Sequence, residues 1–353
     1  MNKIDSYLEA ALKQNASDLH FVSGDPVRVR VHGGLQILME EKLETEHVGE
    51  ALYEIMDGTT QRAFKQDDAA DFAYEIPDVS RFRVNIFRHL NGIGAIFRAI
   101  PSKALTLEQL DMPPIIHNLC KQTSGMILVT GKTGSGKSTT LAAMIDSINK
   151  RLKGHILTIE DPIEFVHKTQ NCLISQREVG LHSGSFAEAL HSALREDPNV
   201  VLVGEMRDLE TISIAVTAAE MGILVMGTLH TNGAGPTVDR IINSFPADKQ
   251  SHIRTMISTS LRGVVSQQLL PTKHKPGRIA ALEVLINTSA VANLIRQGKL
   301  DQLETAMQSG GNAGMQTMDS ALMELVEKAF VSGRDAYQQA NNKSKFERLK
   351  DET

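Results

Sequence analysis

The sequence predicts an α/β protein, with a mostly parallel sheet between helical layers in its larger part and a smaller α/β unit before it. Three observations carry this expectation. Apolar runs such as 126–130 and 200–203 lack polar alternation, as strands buried on both faces do. They alternate with segments of helical spacing, the order of strand-helix-strand units. Between one such strand and one such helix lies Gly-Lys-Thr-Gly-Ser-Gly-Lys-Ser at 131–138, a glycine-rich loop in the setting where backbone N–H groups and a helix N-terminus cradle phosphate.

Taken in order, Ile4, Leu8 and Leu12 recur every four residues, the stripe of an opening helix. Val27, Val29 and Val31 alternate with Arg28 and Arg30, and Gly33-Gly34 leads into Leu35 and Ile37, which is hairpin grammar. A second hairpin rises through 81–86, turns at Asn91-Gly92 and returns through Ile93, Ala95 and Phe97, with its arginines expected on one polar face. This first domain, 1–100, is expected to end at a linker, 101–114, which has proline at both ends and no sustained apolar period. In the second domain, 115–353, strands are expected at 126–130, 155–160, 199–205 and 224–230. Helices are expected at 137–152, 185–197 and 209–222, and beyond Asn287 at 290–295, 300–307 and 319–330. The polar tail after Asn341 is expected to fray.

Composition narrows the function classes. The 353 residues are 41% hydrophobic and 22% charged, as in a soluble globular protein, and no apolar run approaches the ~20 residues of a membrane span. Residues 1–12 alternate apolar with charged residues and carry no signal-peptide core, so the protein is expected in the cytoplasm. Two cysteines, Cys120 and Cys172, far apart and without zinc-ligand spacing, fit a reducing compartment. A net charge of −5 and 4% aromatics disfavour an extended nucleic-acid groove, so no nucleic-acid partner is expected.

The phosphate loop assigns nucleotide binding to Gly131, Lys132, Thr133, Gly134, Ser135, Gly136, Lys137, Ser138 and the adjoining Thr139. Lys137 is placed to meet the β- and γ-phosphates, and the Ser138 hydroxyl to ligate Mg2+. Hydrolysis also needs a group that orients or deprotonates water. Glu205, delivered by an apolar strand to the sheet edge where ligands bind in open parallel sheets, is the candidate base. Gly204 stands where a metal-binding aspartate is usual. Glu160, Asp161 and Glu164 follow another strand end; Glu160 and Glu164 are candidates to hold Mg2+ through water, against the alternative of a capped turn with solvated charges. His230 closes a third strand and is placed to sense the γ-phosphate. Arg81, Arg83, Arg88 and Arg98 in the first domain, with Arg195, Arg207 and Arg240 in the second, are candidate phosphate clamps, or else solvated surface charges.

Taken together, 131–138, Thr-Ile-Glu-Asp-Pro-Ile-Glu-Phe at 158–165, Ala-Leu-Arg-Glu-Asp-Pro at 193–198, Gly-Glu-Met-Arg-Asp at 204–208 and Gly-Thr-Leu-His-Thr at 227–231 resemble the PilT-type retraction ATPases of type IV pili, in the secretion-ATPase superfamily. The likeness runs from Ser-Asp-Leu-His at 17–20 to Gly-Met-Gln-Thr-Met-Asp at 314–319. It implies a PAS-like N-terminal domain, a RecA-like P-loop motor domain with C-terminal helices, ATP and Mg2+ as cofactors, and a homohexamer. The implied work is ATP-driven pilus retraction and twitching motility at the cytoplasmic face of the inner membrane, with a membrane platform protein and a paralogous retraction ATPase as partners. It also implies water activation by Glu164 and Glu205 and nucleotide-state coupling by His230. The family's retraction-linked motif Ala-Ile-Arg-Asn-Leu-Ile-Arg-Glu appears at 290–297 with Ala292 and Gln297 in place of its first arginine and its glutamate. The remaining Asn293, Leu294, Ile295 and Arg296 are the candidate partner-coupling residues. An accessory paralogue, a secretion or assembly ATPase, and a non-hydrolysing regulatory subunit are the alternatives.

Overall fold

The computed structural model describes residues 2–31, 33–77, 79–100, 104–274 and 277–352. The chain divides into two compact units, Met1–Lys103 and Ala104–Thr353.

In the first unit the order is α1 (Asp5–Lys13), β1 (Asp18–Val22), β2 (Pro26–Val31), β3 (Gly34–Lys42), α2 (Thr45–Ile55), α3 (Gly58–Asp67), β4 (Ala69–Ile76), β5 (Ser80–His89) and β6 (Gly92–Ile100). The strands form one antiparallel sheet in the order β3-β2-β1-β6-β5-β4. Period-two alternation decides which face is buried: Leu19, Phe21, Val27, Val29, Val84, Ile86, Ala95 and Phe97 turn inward, where Ile4, Leu8, Leu52 and Phe64 cover them. Arg81, Arg83 and Arg98 occupy the other face, with Arg83 opposite Arg98 and Arg98 Nε donating to Asp18 Oδ1 at 2.8 Å. Arg88 does not share that face. It lies an odd number of residues from Arg83, so its side chain turns to the core side, where its guanidinium sits 5.4 Å from the Phe64 ring centre and pairs with Asp68 at 2.7 Å.

The second unit runs α4 (Pro114–Leu119), β7 (Gly125–Thr130), α5 (Lys137–Arg151), β8 (His155–Glu160), β9 (Leu173–Glu178), α6 (Phe186–Ala193), β10 (Val200–Val203), α7 (Leu209–Glu220), β11 (Leu224–Leu229), α8 (Ala234–Asn243), α9 (Gln250–Ser260), β12 (Leu261–Pro271), β13 (Arg278–Ile286), α10 (Ser289–Gln297), α11 (Leu303–Ser309), α12 (Met318–Glu327), α13 (Gly333–Gln339) and α14 (Lys343–Phe346). Seven strands pair in the order β13-β12-β7-β11-β10-β8-β9, parallel throughout except for the β12/β13 pair. Along β7 the side chains alternate between two cores. Met126 and Leu128 join the layer of α6 to α11, while Ile127 and Val129 meet Leu141, Met144 and Ile148 of α5. Both faces are therefore covered, which is why these strands read as unbroken apolar runs.

Several boundaries differ from the sequence expectations, each for a local reason. Residues 101–103 of the expected linker lie outside the described residues. From Ala104 the chain belongs to the second unit, with Leu107 and Met112 buried in its core. The helix expected at 185–197 stops at Ala193, because Pro198 disfavours helical backbone before it and Asp197 takes a left-handed φ of 50°. The tail does not fray after Asn341, since Phe346 is fully buried against Leu322, Val331 and Ala336.

Candidate active site

The phosphate loop leaves the C-terminal end of β7, and α5 begins at Lys137. Gly131 and Gly136 have φ of 142° and 88°, and both lie against β12. A Cβ on Gly131 would stand 2.4 Å from the Gln267 carbonyl oxygen, and one on Gly136 would stand 2.7 Å from Gln267 Nε2. Glycine is required there by conformation and by the approach of a neighbouring strand. Gln267, 2% exposed, completes the support: its Nε2 donates to the Ser135 carbonyl at 2.7 Å, and its Oε1 accepts from Thr140 Oγ1 at 2.8 Å.

The loop fits a phosphate chain on two further observations. Ser135 Oγ is buried and has no hydrogen-bond partner among the described residues. Lys137 Nζ donates to the Gly131 and Lys132 carbonyls at 2.8 and 3.1 Å, so its ammonium lies inside the loop. Burial lowers the Lys137 pKa, and the negative charges of Glu205 and Glu164 oppose that shift.

A cavity of about 490 Å3 opens beside the loop. Its lining includes Thr133, Gly134, Gly136, Lys137, Ser138 and Thr139 of the loop together with Glu160, Glu164, Glu205, Arg207 and His230. The parallel register explains the convergence. Val203 of β10 pairs with Gly227 of β11, so Glu205 and His230 both emerge just beyond the C-terminal sheet edge, and His230 Nε2 comes 3.0 Å from Glu205 Oε1. Arg207 donates to both Glu205 oxygens, with Nη2 2.6 Å from Oε2. Burial pushes the Glu205 carboxyl up, but Arg207 and His230 outweigh it and hold the group below its usual range. Gly204 has little room for a side chain, since a Cβ would lie 3.0 Å from the Ile159 carbonyl and 3.2 Å from Glu160 Cα.

The acidic cluster divides. Glu160 Oε1 accepts from Thr158 Oγ1 at 2.6 Å and Gln176 Nε2 at 3.2 Å, and burial pushes its pKa up against these bonds. Glu164 is exposed on the cavity wall. Among the described residues no three His, Cys, Asp or Glu side chains converge as a metal site.

Of the arginines proposed as clamps in this unit, only Arg207 reaches the cavity; Arg195 and Arg240 are exposed and do not line it. Arg278, at the start of β13, lines it instead. Arg278 and Gln267 are the two residues that sequence reasoning missed. Both sit on strands that only long-range pairing brings to the loop, although two consecutive glutamines inside an apolar run mark Gln267 as unusual.

The segment 293–296 lies away from the cavity on α10. Ile295 is fully buried in the core of the second unit and is corrected from a partner-coupling to a packing residue, as the α-helical period from Val291 requires. Asn293 is exposed, Leu294 is half-buried, and Arg296 Nη2 donates to Ser258 Oγ on α9 at 3.2 Å.

Comparison with known proteins agrees with this architecture. Residues 1–275 match the family described as Type II/IV secretion system protein. The chain is 49% identical over 343 residues to the type IV pilus retraction ATPase PilT of Pseudomonas aeruginosa, covering 97% of this chain and 99% of the relative. It is 38% identical over 340 residues to the type IV pilus ATPase PilU of the same organism, covering 96% and 89%. A crystal structure of the pilus retraction motor PilT with bound ADP superposes with a TM-score of 0.91 at 40% identity, covering 99% of this chain and all of that one. The chain belongs to the Type II/IV secretion system protein family and, within it, to the PilT-type ATPases.

Proposed function

We propose that this chain is an ATP-hydrolysing motor that powers type IV pilus retraction. The observation that carries the reading is the convergence, in one cavity, of a glycine-shaped phosphate loop with a carboxylate held between Arg207 and His230. The loop N–H groups and Lys137 bind the phosphates, and Lys137 must leave its two loop carbonyls to reach them. Mg2+, when bound, neutralises phosphate charge. Ser138 would ligate it and Glu160 and Glu164 would hold its waters, a reading supported by all three lining the cavity.

Glu205 accepts the proton of the attacking water, and Glu164 helps to orient that water. With Arg207 across both oxygens, Glu205 is engaged and cannot serve as a base. Release of the Arg207 side chain, which is 74% exposed, frees the carboxylate and makes a guanidinium available to the phosphates. His230, bonded to Glu205 at the end of β11, carries the nucleotide state to the following loop.

A homohexamer working with an inner-membrane platform protein at the cytoplasmic face of that membrane completes the reading. Among the described residues no helix is long and apolar enough to cross a membrane. A second reading, an accessory retraction paralogue, rests on Ala292 and Gln297 on α10.

The test is complementation of strains lacking the retraction motor or its accessory paralogue, run with wild type and Glu205→Gln. Wild type should restore retraction. Glu205→Gln should bind ATP but lose ~10²- to 10⁴-fold in turnover, the range for a positioned general base. Full turnover in that variant refutes the assignment, and wild type restoring only the paralogue strain selects the accessory role.

A further inference from the structure

Glu283 on β13 is a carboxylate that does not line the cavity and is only 4% exposed. Its Oε1 accepts from the backbone N–H of Ala234 at 2.7 Å, and its Oε2 from that of Met318 at 3.2 Å. These two residues open α8 and α12, so one side chain is shared by two helix N-termini. Each N-terminus supplies an otherwise unpaired donor and a positive dipole end, which is what an ionised carboxylate satisfies.

The surroundings extend this link in both directions. Ser266, the register partner of Glu283 on β12, accepts from Gly233 N at 2.8 Å, and a Cβ on Gly233 would lie 3.4 Å from Glu283 Oε1 at a φ of 98°. The four-residue connection from His230 to α8 is thus fastened at its far end by two adjacent acceptors. On the other side, Gln316 pairs with Val284 through reciprocal backbone bonds of 2.9 and 3.1 Å, and Asp319 accepts from Asn341 and Asn342 N–H at 2.7 and 3.0 Å. The C-terminal helices are therefore joined to the same point of β13.

We propose that Glu283 is a positioning residue of the hydrolytic step, tying the loop that carries His230 to the C-terminal helices through one carboxylate shared by α8 and α12. The inference rests on the reading of His230 as the nucleotide-state relay. A displacement of either helix N-terminus breaks a bond to the shared carboxylate, so movement at the cavity and movement of the C-terminal helices are linked. The charged groups that face Glu283, Glu304 on α11 and Asp319 on α12, are both acidic. With burial as the larger cause, they push its pKa up, which makes the link sensitive to acid.

The test is steady-state ATPase kinetics, nucleotide titration and thermal melting of the full chain carrying Glu283→Gln. The amide keeps the shape but can accept from only one of the two N–H groups. Turnover should fall about tenfold, equivalent to ~1.4 kcal/mol of barrier, with KM and nucleotide affinity near wild type. The acid limb of the kcat profile should move to lower pH, because the variant has no raised carboxyl to protonate. Wild-type turnover with an unchanged profile overturns the proposal, as does a parallel loss of melting temperature and nucleotide affinity. Ser266→Ala, which removes only the Gly233 acceptor, should give a smaller loss of kcat in the same direction; if Glu283→Gln does not fold, wild-type kinetics in Ser266→Ala overturn the proposal. His230→Gln separates the two layers: wild-type turnover there sinks the relay reading and this proposal with it. Reduced turnover in His230→Gln beside wild-type turnover in Glu283→Gln sinks the Glu283 role alone.

Discussion

Replacing Gln267 with Leu keeps approximate size and removes both side-chain bonds to the phosphate-loop region. The Ser135 carbonyl loses its donor, and Thr140 Oγ1 loses its acceptor, at positions that are 7% and 1% exposed. Each buried polar group left unpaired costs about 1–3 kcal/mol, so the pair sets a range of about 2–6 kcal/mol. At the lower end, if the loss appears wholly in folding, a unit of this size melts about 4–8 °C earlier. The loop, however, is the part that relaxes. If about 1.4 kcal/mol of the loss is expressed as misplaced phosphate N–H groups, the ATP dissociation constant rises tenfold. Titration with a fluorescent ATP analogue, with melting curves in the presence and absence of nucleotide, measures both shares. Gln267→Glu should bind worse than Gln267→Leu, because it sets an anionic oxygen against the Ser135 carbonyl. Both variants binding within about twofold of wild type, with unchanged melting, would refute the claim that β12 shapes the loop.

Two further outcomes follow from the cavity and from α10. Arg207→Ala removes the cation that helps hold the Glu205 carboxyl low against burial, so that pKa rises. The carboxylate is then lost at higher pH as the solution is acidified, and the acid limb of kcat/KM, which reports the nucleotide-free protein, should move upward; a downward or absent shift would exclude the Arg207 lock. Asn293→Ala with Arg296→Ala should leave ATPase activity within about twofold and impair retraction in cells, since α10 lies away from the cavity and the Arg296 bond to Ser258 is a single partly exposed contact of modest worth. Loss of ATPase activity in that double variant would make the segment structural.

What the sequence discloses depends on how local the cause is. The phosphate loop is legible because strand end, glycine conformation and helix start occupy one short stretch, and each requirement is met by residues within it. Glu205 and His230 are separated along the chain, but both can be placed in advance because each follows a buried strand whose end falls at the ligand edge of a parallel sheet. Arg88 illustrates where such reasoning slips. A hairpin's arginines share a face only where their spacing is even, and a slip of one residue reverses the face.

The residues that stay hidden are those whose role comes from a neighbour far along the chain. Gln267 is polar within an apolar run, and in isolation that pattern weakens the case for a strand. Once β12 pairs with β7, the same residue becomes the one able to satisfy the Ser135 carbonyl and the Thr140 hydroxyl together. Glu283 is the same case one strand further out, on β13 beside β12, where a lone carboxylate is tolerated because two helices begin against it. Ile295 shows the converse, since a motif position can sit between the exposed Asn293 and Arg296 and still be fixed by the core beneath it. Polar residues that interrupt an apolar strand are therefore informative when the strand borders a phosphate loop. Their hydrogen bonds must go to buried groups, and near such a loop those groups are the backbone that shapes it.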